Sequence, residues 1–224
     1  MNGSALLQMR QAAGLSQTRA AELLEVSQSL LSQMEQDKRG VTAEVAVRAV
    51  EALGGSPSNL PLNALNRHSD DELAMELAAL GYPGFSYLKG HLRNPAEVLI
   101  DALDRPDLDA RVVEGLPWLP FRYPDMNWNW LIAEAKLRNR QNRLGFVVEL
   151  AQQVAKQAQH FEVSEALDEV LRHLNDAKLA KEDTLCQESW PASQRALAHA
   201  KRSPLAKRWK LDTRMTEADL AHYA

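Results

Sequence analysis

Apolar and polar residues follow a helical period along most of the chain. In the first quarter this period predicts four short helices in quick succession. Ser16 and Ser27 stand where the second and third of these helices should begin, because a serine hydroxyl readily accepts from the first free amides of a helix. Gly14 and Gly54 stand where the first and fourth should end, because glycine adopts the left-handed conformation that stops helices.

The third predicted helix has two unlike sides. Leu31 and Met34 point one way, and a polar set falls mainly on the other side: Gln28, Ser29, Ser32 and Gln33. A short helix, a tight turn and a second helix with a polar outer face form the helix-turn-helix arrangement, in which the second helix can enter the major groove of DNA.

A break in composition follows. Two glycines and two prolines lie within the eight residues from Gly54 to Pro61, and polar residues continue to Ser69. We therefore expect a DNA-binding domain at residues 1–55, a linker at 56–69 and a helical domain for partner binding or dimerisation at 70–224.

Residues 70–224 keep the helical period and show no strand-length alternation, so an all-α protein is predicted. The longest predicted helix runs from Gln141 to Ala158. Other helices are expected to begin at Asp70, Pro95, Arg105–Asp107, Asp125 or Asn127, and Ser164, with three short ones marked by Pro191, Pro204 and Thr216.

Composition narrows the class of protein. Of 224 residues, 45% are hydrophobic and 25% charged, which is typical of a soluble globular chain. The one cysteine, Cys186, excludes an internal disulfide framework and is expected to be buried. Without an apolar run of spanning length or a signal-like start, we expect a cytoplasmic protein with no membrane partner.

The charge is unevenly distributed although the net charge is only −4. Residues 69–125 are acidic. Residues 189–211 carry six bases and no acid: Arg195, Lys201, Arg202, Lys207, Arg208 and Lys210. This C-terminal basic cluster is open to two interpretations, a solvated surface or contact with nucleic acid or an acidic partner. A smaller cluster, from Lys136 to Arg143, is interpreted as a solvated helix face.

The aromatic stretch from Trp118 to Trp130 is interpreted as core packing and turns rather than a stacking surface. His68, Asp70 and Asp71 lack the spacing of metal ligands and are assigned to the linker region. We find no catalytic motif of the metalloprotease, P-loop, dinucleotide or hydrolase-elbow type, so no enzyme, metal or cofactor is predicted.

Several motifs resemble the Cro/C1-type, or XRE-family, helix-turn-helix domain of phage repressors and bacterial regulators. The matching motifs are Leu15-Ser16-Gln17, Ala20-Ala21-Glu22-Leu23 and the run from Val26 to Glu35. The resemblance implies a five-helix, lambda-repressor-like domain and a transcriptional repressor that binds a double-stranded operator as a homodimer. Glu25 departs from the pattern, because the family usually has glycine in this turn.

Residue roles follow from the resemblance and from side-chain chemistry. Gln28, Ser29, Ser32 and Gln33 are predicted to read bases, since a glutamine amide can pair with the adenine edge. Arg10 and Glu35 are expected to form a structural ion pair. Phosphate contacts are predicted for Ser16, Gln17, Lys38 and Arg39. Through Gly55 the domain holds five bases and six acids, so binding would depend on local placement, a dimer or bases elsewhere.

Segments of the second domain, such as Gln141 to Phe146 and Lys181 to Cys186, more weakly resemble regulators paired with AbiE-type nucleotidyltransferase toxins. This implies an antitoxin that represses its own operon, with a cognate toxin protein as a partner. Three alternatives stay open: a protein-interaction module with a vestigial helix-turn-helix, a phage-type repressor without a toxin, and an enzyme that acts on nucleic acid through the second domain.

Overall fold

The computed structural model describes residues 1–63 and 68–220. The chain divides into two compact units, Met1–Ala64 with Leu92–Asn94 and Leu65–His91 with Pro95–Ala224. Within the described residues, helices carry the fold and the strands are limited to two of two residues each, so the all-α prediction is confirmed. None of the described helices combines the length and the apolar character needed to cross a membrane.

The first unit contains four α-helices and a 3₁₀ helix among its described residues. Their bounds are α1 Gly3–Ala12, α2 Gln17–Leu23, α3 Gln28–Glu35, α4 Ala43–Leu53 and the 3₁₀ helix Pro57–Asn59. The predicted start and stop signals are confirmed. Ser16 and Ser27 cap α2 and α3 by accepting from the amides of Arg19 and Leu30 at 3.2 and 3.1 Å. Gly14 and Gly54 have positive φ angles of 67° and 73°.

The core of the first unit reaches into the predicted linker. Leu60 is buried in it, and the side-chain amide of Asn94 donates to the carbonyl oxygens of Ser58 and Leu60 at 3.2 and 2.8 Å. Ser56 caps the 3₁₀ turn by accepting from the amide of Ser58. Residues 56–63 therefore close the first unit instead of forming a free linker, because the proline turn returns an apolar side chain to the core. Residues 64–67 lie outside the described residues.

The second unit is built around α10. Its elements are α5 Asp70–Ala79, a 3₁₀ helix Pro83–Phe85, α6 Pro95–Leu103, α7 Ala110–Gly115, α8 Trp118–Arg122, α9 Trp128–Leu137, α10 Gln141–Gln157, α11 Phe161–Asp176, β1 Asp183–Thr184, α12 Ala192–Ala200, α13 Pro204–Arg208, β2 Leu211–Asp212 and a 3₁₀ helix Glu217–Leu220.

Most helix starts agree with the sequence pattern, and two differ. The α5 helix begins at Asp70 behind a capping box made by Ser69. The α7 helix begins later than predicted because Asp107 does not cap it; its carboxylate accepts from the amide and hydroxyl of Ser189 at 2.9 and 2.8 Å. The α11 helix begins at Phe161, three residues before the expected Ser164, which is buried inside the helix.

A glycine in α10 sets how the end of the chain packs. A Cβ atom at Gly145 would lie 2.1 to 2.5 Å from atoms of the Trp209 ring. Trp209 is fully buried against this notch, and its indole Nε1 donates to Oε2 of Glu149 at 2.7 Å. This contact holds α13 and β2 against the rest of the second unit, and β2 pairs in parallel with β1. Two residues per strand are too few for an alternation pattern, so this ladder cannot be predicted from the sequence.

Two further predictions about the second unit are confirmed. Trp118 is buried and meets Tyr123 edge to face at 5.9 Å, so this part of the aromatic stretch is core. Cys186 is buried beside α6, where its thiol lies 3.4 Å from the carbonyl oxygen of Ala102. Burial raises the pKa of the Cys186 thiol to about 11, although the charge of Arg143 opposes the shift.

Candidate nucleic-acid interface

The α3 helix separates its residues as the sequence predicts. Gln28, Ser29 and Gln33 are exposed, and Ser32 is half-buried. The opposite side holds the buried residues Leu31, Met34 and Glu35. The helix is therefore fixed to the unit through its apolar side, and its polar side faces solvent.

The turn between α2 and α3 requires a left-handed residue. Glu25 has a φ angle of 55°, which explains why a glycine is usual at this position. Arg48 of α4 braces the turn: its guanidinium donates to the carbonyl oxygen of Leu24 at 3.1 Å and lies 3.2 Å from the Glu25 carboxylate. Glu25, which departs from the family pattern, therefore has a partner in Arg48 that was not predicted from the sequence.

The predicted ion pair between Arg10 and Glu35 is present. Arg10 donates through Nε and Nη2 to the two Glu35 carboxylate oxygens at 2.5 and 3.0 Å, and through Nη1 to the carbonyl oxygen of Leu15 at 2.9 Å. Burial alone would raise the pKa of Glu35, but the hydrogen bonds from Arg10 and Gln17 outweigh it and hold that pKa below its usual range. The pair joins the end of α3 to α1.

Gln17 extends this pair outward. Its Nε2 donates to Oε2 of Glu35 at 2.8 Å, and its Oε1 accepts from Nε2 of Gln28 at 2.7 Å. The ionised Glu35 carboxylate can only accept, so the amide nitrogen of Gln17 must face it and the amide oxygen must face Gln28. Gln28 is therefore held with one N–H directed inward, which leaves its carbonyl oxygen and its second N–H for a ligand.

This relay, Arg10–Glu35–Gln17–Gln28, was not found from sequence. The residues were assigned separately, as an ion pair, a phosphate contact and a base reader. Gln17 retains one amide hydrogen for the predicted phosphate contact, and it also orients the side chain of Gln28. The spacing of Gln17 and Gln28 across a tight turn is the signal that could have linked them.

The predicted phosphate contacts lie around the ends of α2 and α3. Ser16 and Gln17 stand at the beginning of α2, where free amides add partial positive charge. Lys38 and Arg39 are exposed directly after α3, and their backbone amides donate to the carbonyl oxygen of Gln33 at 2.9 and 3.3 Å.

The remaining bases of residues 1–63 are engaged with acids. Arg10, Arg19 and Arg48 pair with Glu35, Glu22 and Glu25 respectively. In this part of the chain, Lys38 and Arg39 alone are without an acidic partner. The electrostatic component of DNA binding by this unit therefore rests on two side chains and the α2 amides.

The comparisons with known proteins agree with this geometry. Residues 3–62 match a family model described as a helix-turn-helix domain. Comparisons with curated proteins and with solved structures gave no match. The match covers α1 to α4 and the 3₁₀ turn, and together with the exposed side of α3 it indicates that residues 3–62 form a helix-turn-helix domain of the kind that binds DNA.

The interpretation of the cluster from Lys136 to Arg143 as a solvated helix face holds for the exposed Lys136 but is wrong for the arginines. Arg143 is fully buried; it donates to Asp183 at 2.8 and 2.9 Å and to Glu188 at 2.7 Å. It also donates to the carbonyl oxygens of Leu103 and Arg105 at 3.0 and 2.6 Å. The acids lie some forty residues away in the chain, so local charge counting could not reveal them.

One group in the second unit has side chains of the kinds that bind metals. Glu182, His199 and Asp212 converge within 4.8 Å of one another. Arg202 occupies the same place: it donates to Glu182 at 3.0 Å and lies 3.0 Å from Nε2 of His199. A guanidinium already supplies the positive charge that these carboxylates require, so we assign the group to structure.

Proposed function

We propose that this chain is a sequence-specific repressor of transcription, which binds its operator through α3 as a homodimer. The observation that carries the proposal is the division of α3 into a buried apolar side and an exposed side bearing Gln28, Ser29 and Gln33. The match of residues 3–62 to a helix-turn-helix domain supports it independently.

The chemistry of the exposed side fits the major groove. An adenine presents an acceptor and a donor there, and a glutamine amide can satisfy both. Gln28 keeps one acceptor and one donor free after its bond to Gln17. Gln33 offers a second amide, whereas the hydroxyls of Ser29 and Ser32 are less selective readers. Lys38, Arg39, Ser16 and Gln17 would fix the register by contacting phosphates.

A homodimer would compensate for the limited charge of each helix-turn-helix unit. Two copies place two α3 helices in successive major grooves, about 34–36 Å apart, and double the phosphate contacts. The operator should then be a palindrome or nearly so. The toxin partner stays a prediction, and a protein that represses without a toxin uses the same residues of α3.

The experiment is selection of genomic fragments by the full-length protein, followed by binding measurements on the enriched site. Gln28→Ala and Gln33→Ala are expected to weaken specific binding by about 1–3 kcal/mol each and to relax preference at one base pair. Lys38→Ala should weaken binding to all sequences alike. Gln11→Ala, an exposed glutamine on α1, is the matched control and should leave binding unchanged.

Repression itself is tested by placing the enriched site between a promoter and a reporter gene. Loss of repression by Gln33→Ala, restored when the operator base pair is changed to suit the variant, would link readout to function. Failure of the protein to enrich any sequence over random DNA would reject the proposal and favour an interaction module with a vestigial helix-turn-helix.

A further inference from the structure

Five lysines of the second unit lie on two segments that the fold brings side by side. We call them the lysine cluster: Lys178, Lys181, Lys201, Lys207 and Lys210. The ladder of β1 and β2 joins the segments, with the amide of Asp183 donating to the carbonyl oxygen of Lys210 at 3.0 Å. Lys178 Nζ lies 5.4 Å from the centre of the Trp209 ring. All five side chains are exposed.

Arginines and lysines differ in this region. Arg202 pairs with Glu182 at 3.0 Å, and Arg208 pairs with Glu149 at 2.6 Å. The acids near the lysines are also engaged, because Asp183 binds Arg143 and Asp212 binds His199. Within the described part of the chain, no ion pair of 4 Å or less joins any member of the lysine cluster to an acid, although the charge of Lys210 is one of the smaller causes that lower the pKa of Glu182. Arg202 and Arg208 are therefore engaged within the fold, and the lysines leave five positive charges at the surface.

The first unit has a corresponding shortage of charge. Lys38 and Arg39 are its bases without an acidic partner among residues 1–63. Two phosphate contacts contribute a slope of only about −1.8 per protomer to the dependence of log K on log salt. Specific DNA-binding proteins commonly make several more contacts of this kind.

We propose that the lysine cluster binds the phosphate backbone of duplex DNA without reading sequence, and so supplies affinity that the helix-turn-helix unit lacks. The inference rests on the proposed function, because it concerns the same complex with DNA. An exposed lysine ammonium group acts as a point charge, which attracts a phosphate without reading the base sequence. An acidic protein would also need an apolar or aromatic side chain that becomes buried at the interface. Trp209 is fully buried, and the exposed Leu197 of α12 is a single aliphatic side chain, a type that seldom dominates such interfaces.

The test uses the full-length protein and two double variants of equal charge. Lys207→Gln with Lys210→Gln changes the cluster, and Lys89→Gln with Lys136→Gln changes two exposed lysines of the same unit outside it. Binding to the selected operator and to a scrambled duplex is measured by fluorescence anisotropy over a range of salt concentrations. Circular dichroism and tryptophan emission check that both variants are folded.

The cluster variant is expected to lose affinity for operator and scrambled duplex by the same factor. Its salt slope should become shallower by about 0.9 for each lysine that contacts a phosphate, or about 1.8 per protomer. The control should behave as the wild type.

Equal slopes for all three proteins, with the operator still preferred over scrambled DNA, would overturn this inference alone. A wild type that prefers no sequence would reject the proposed function as well. Binding of the cluster to an acidic protein, with DNA affinity unchanged, would also overturn the inference.

Discussion

Each unit contains an arginine that joins distant segments, and the two arginines differ in what lies beyond them. Arg10 is 13% exposed at its side chain and binds one carboxylate and one carbonyl oxygen. Arg143 has no exposed side-chain surface and binds two carboxylates and two carbonyl oxygens. The network of Arg143 stays within its unit, whereas that of Arg10 continues through Glu35 and Gln17 to a surface residue, Gln28.

The difference shows that the same type of ion pair stabilises the fold in one unit and also orients an exposed side chain in the other. A buried ion pair contributes little net free energy because desolvation opposes the attraction, but loss of one partner is costly. In the second unit, the loss of such a partner would affect only the stability of the fold. In the first unit the same kind of pair also fixes, through Gln17, the amide orientation of Gln28, the predicted base reader.

The largest effect is expected from Arg143→Ala. The substitution leaves Asp183 and Glu188 with only the longer contacts of Arg140, and it removes a fully buried side chain, so it should lower the free energy of unfolding of the second unit by about 3–5 kcal/mol. All five tryptophans belong to this unit, so their emission during denaturant unfolding measures it.

Arg140→Ala is the matched control for Arg143→Ala. Arg140 approaches the same two acids, at 3.5 and 3.4 Å, but is 20% exposed. Its loss should cost no more than about 1 kcal/mol. Similar small effects of both variants would contradict the role given to Arg143.

Arg10→Ala should lower the stability of the first unit by about 3 kcal/mol, at the lower end expected for a broken buried pair. Hydrogen exchange of amides in α1 and α3 measures this, because the first unit lacks tryptophan. Arg19→Ala, which breaks an exposed pair, is the control and should change little. Unchanged exchange in Arg10→Ala would contradict the assignment.

The same pair gives the first unit a pH dependence of defined sign. The pKa of Glu35 is lowered in the folded state, so its contribution is present above the unfolded pKa and is lost as pH falls through the folded value. In Arg10→Ala the buried carboxylate has lost its cation, and protonation relieves it. The difference in stability between wild type and variant should therefore shrink in acid.

The relay from Gln17 to Gln28 predicts energetic coupling in DNA binding. Operator affinities of Gln17→Ala, Gln28→Ala and the double variant should yield a coupling energy of about 1 kcal/mol, since the two side chains share a hydrogen bond. Gln17→Ala combined with Gln33→Ala is the control cycle and should be additive within about 0.5 kcal/mol. Additivity in both cycles would mean that Gln17 does not position Gln28.

The smallest effect is expected from Glu25→Gly. Release of the left-handed strain should stabilise by about 1 kcal/mol, and loss of the exposed pair with Arg48 should offset part of that gain. Thermal unfolding of the first unit, monitored by hydrogen exchange of its amides, measures the net change in stability.

Asp37→Gly is the contrast to Glu25→Gly. Asp37 also has a positive φ, of 54°, but its carboxylate accepts from the Gly3 amide at 2.7 Å, so this variant should lose stability.

Local features were predictable from sequence, and distant pairings were not. Helix caps such as Ser27 and the polar side of α3 depend on neighbours within one or two turns, which a period reveals. The resemblance placed Arg10 against Glu35, but the orientation of Gln17 depends on side-chain packing that a pattern does not encode. Arg143 was misjudged because Asp183 and Glu188 meet it only after the chain has folded back from 40 and 45 residues away.

The absence of a side chain at Gly145 determines where two charged residues, Lys207 and Lys210, lie on the surface. Because the indole of Trp209 occupies that space, even a methyl group there would expel the ring and carry Lys207 and Lys210 away with it. A mutation that adds no charge and lies far from them in the chain could thus redraw an electrostatic surface. On the proposed role of the lysine cluster, a substitution at Gly145 would lower DNA affinity without removing any lysine.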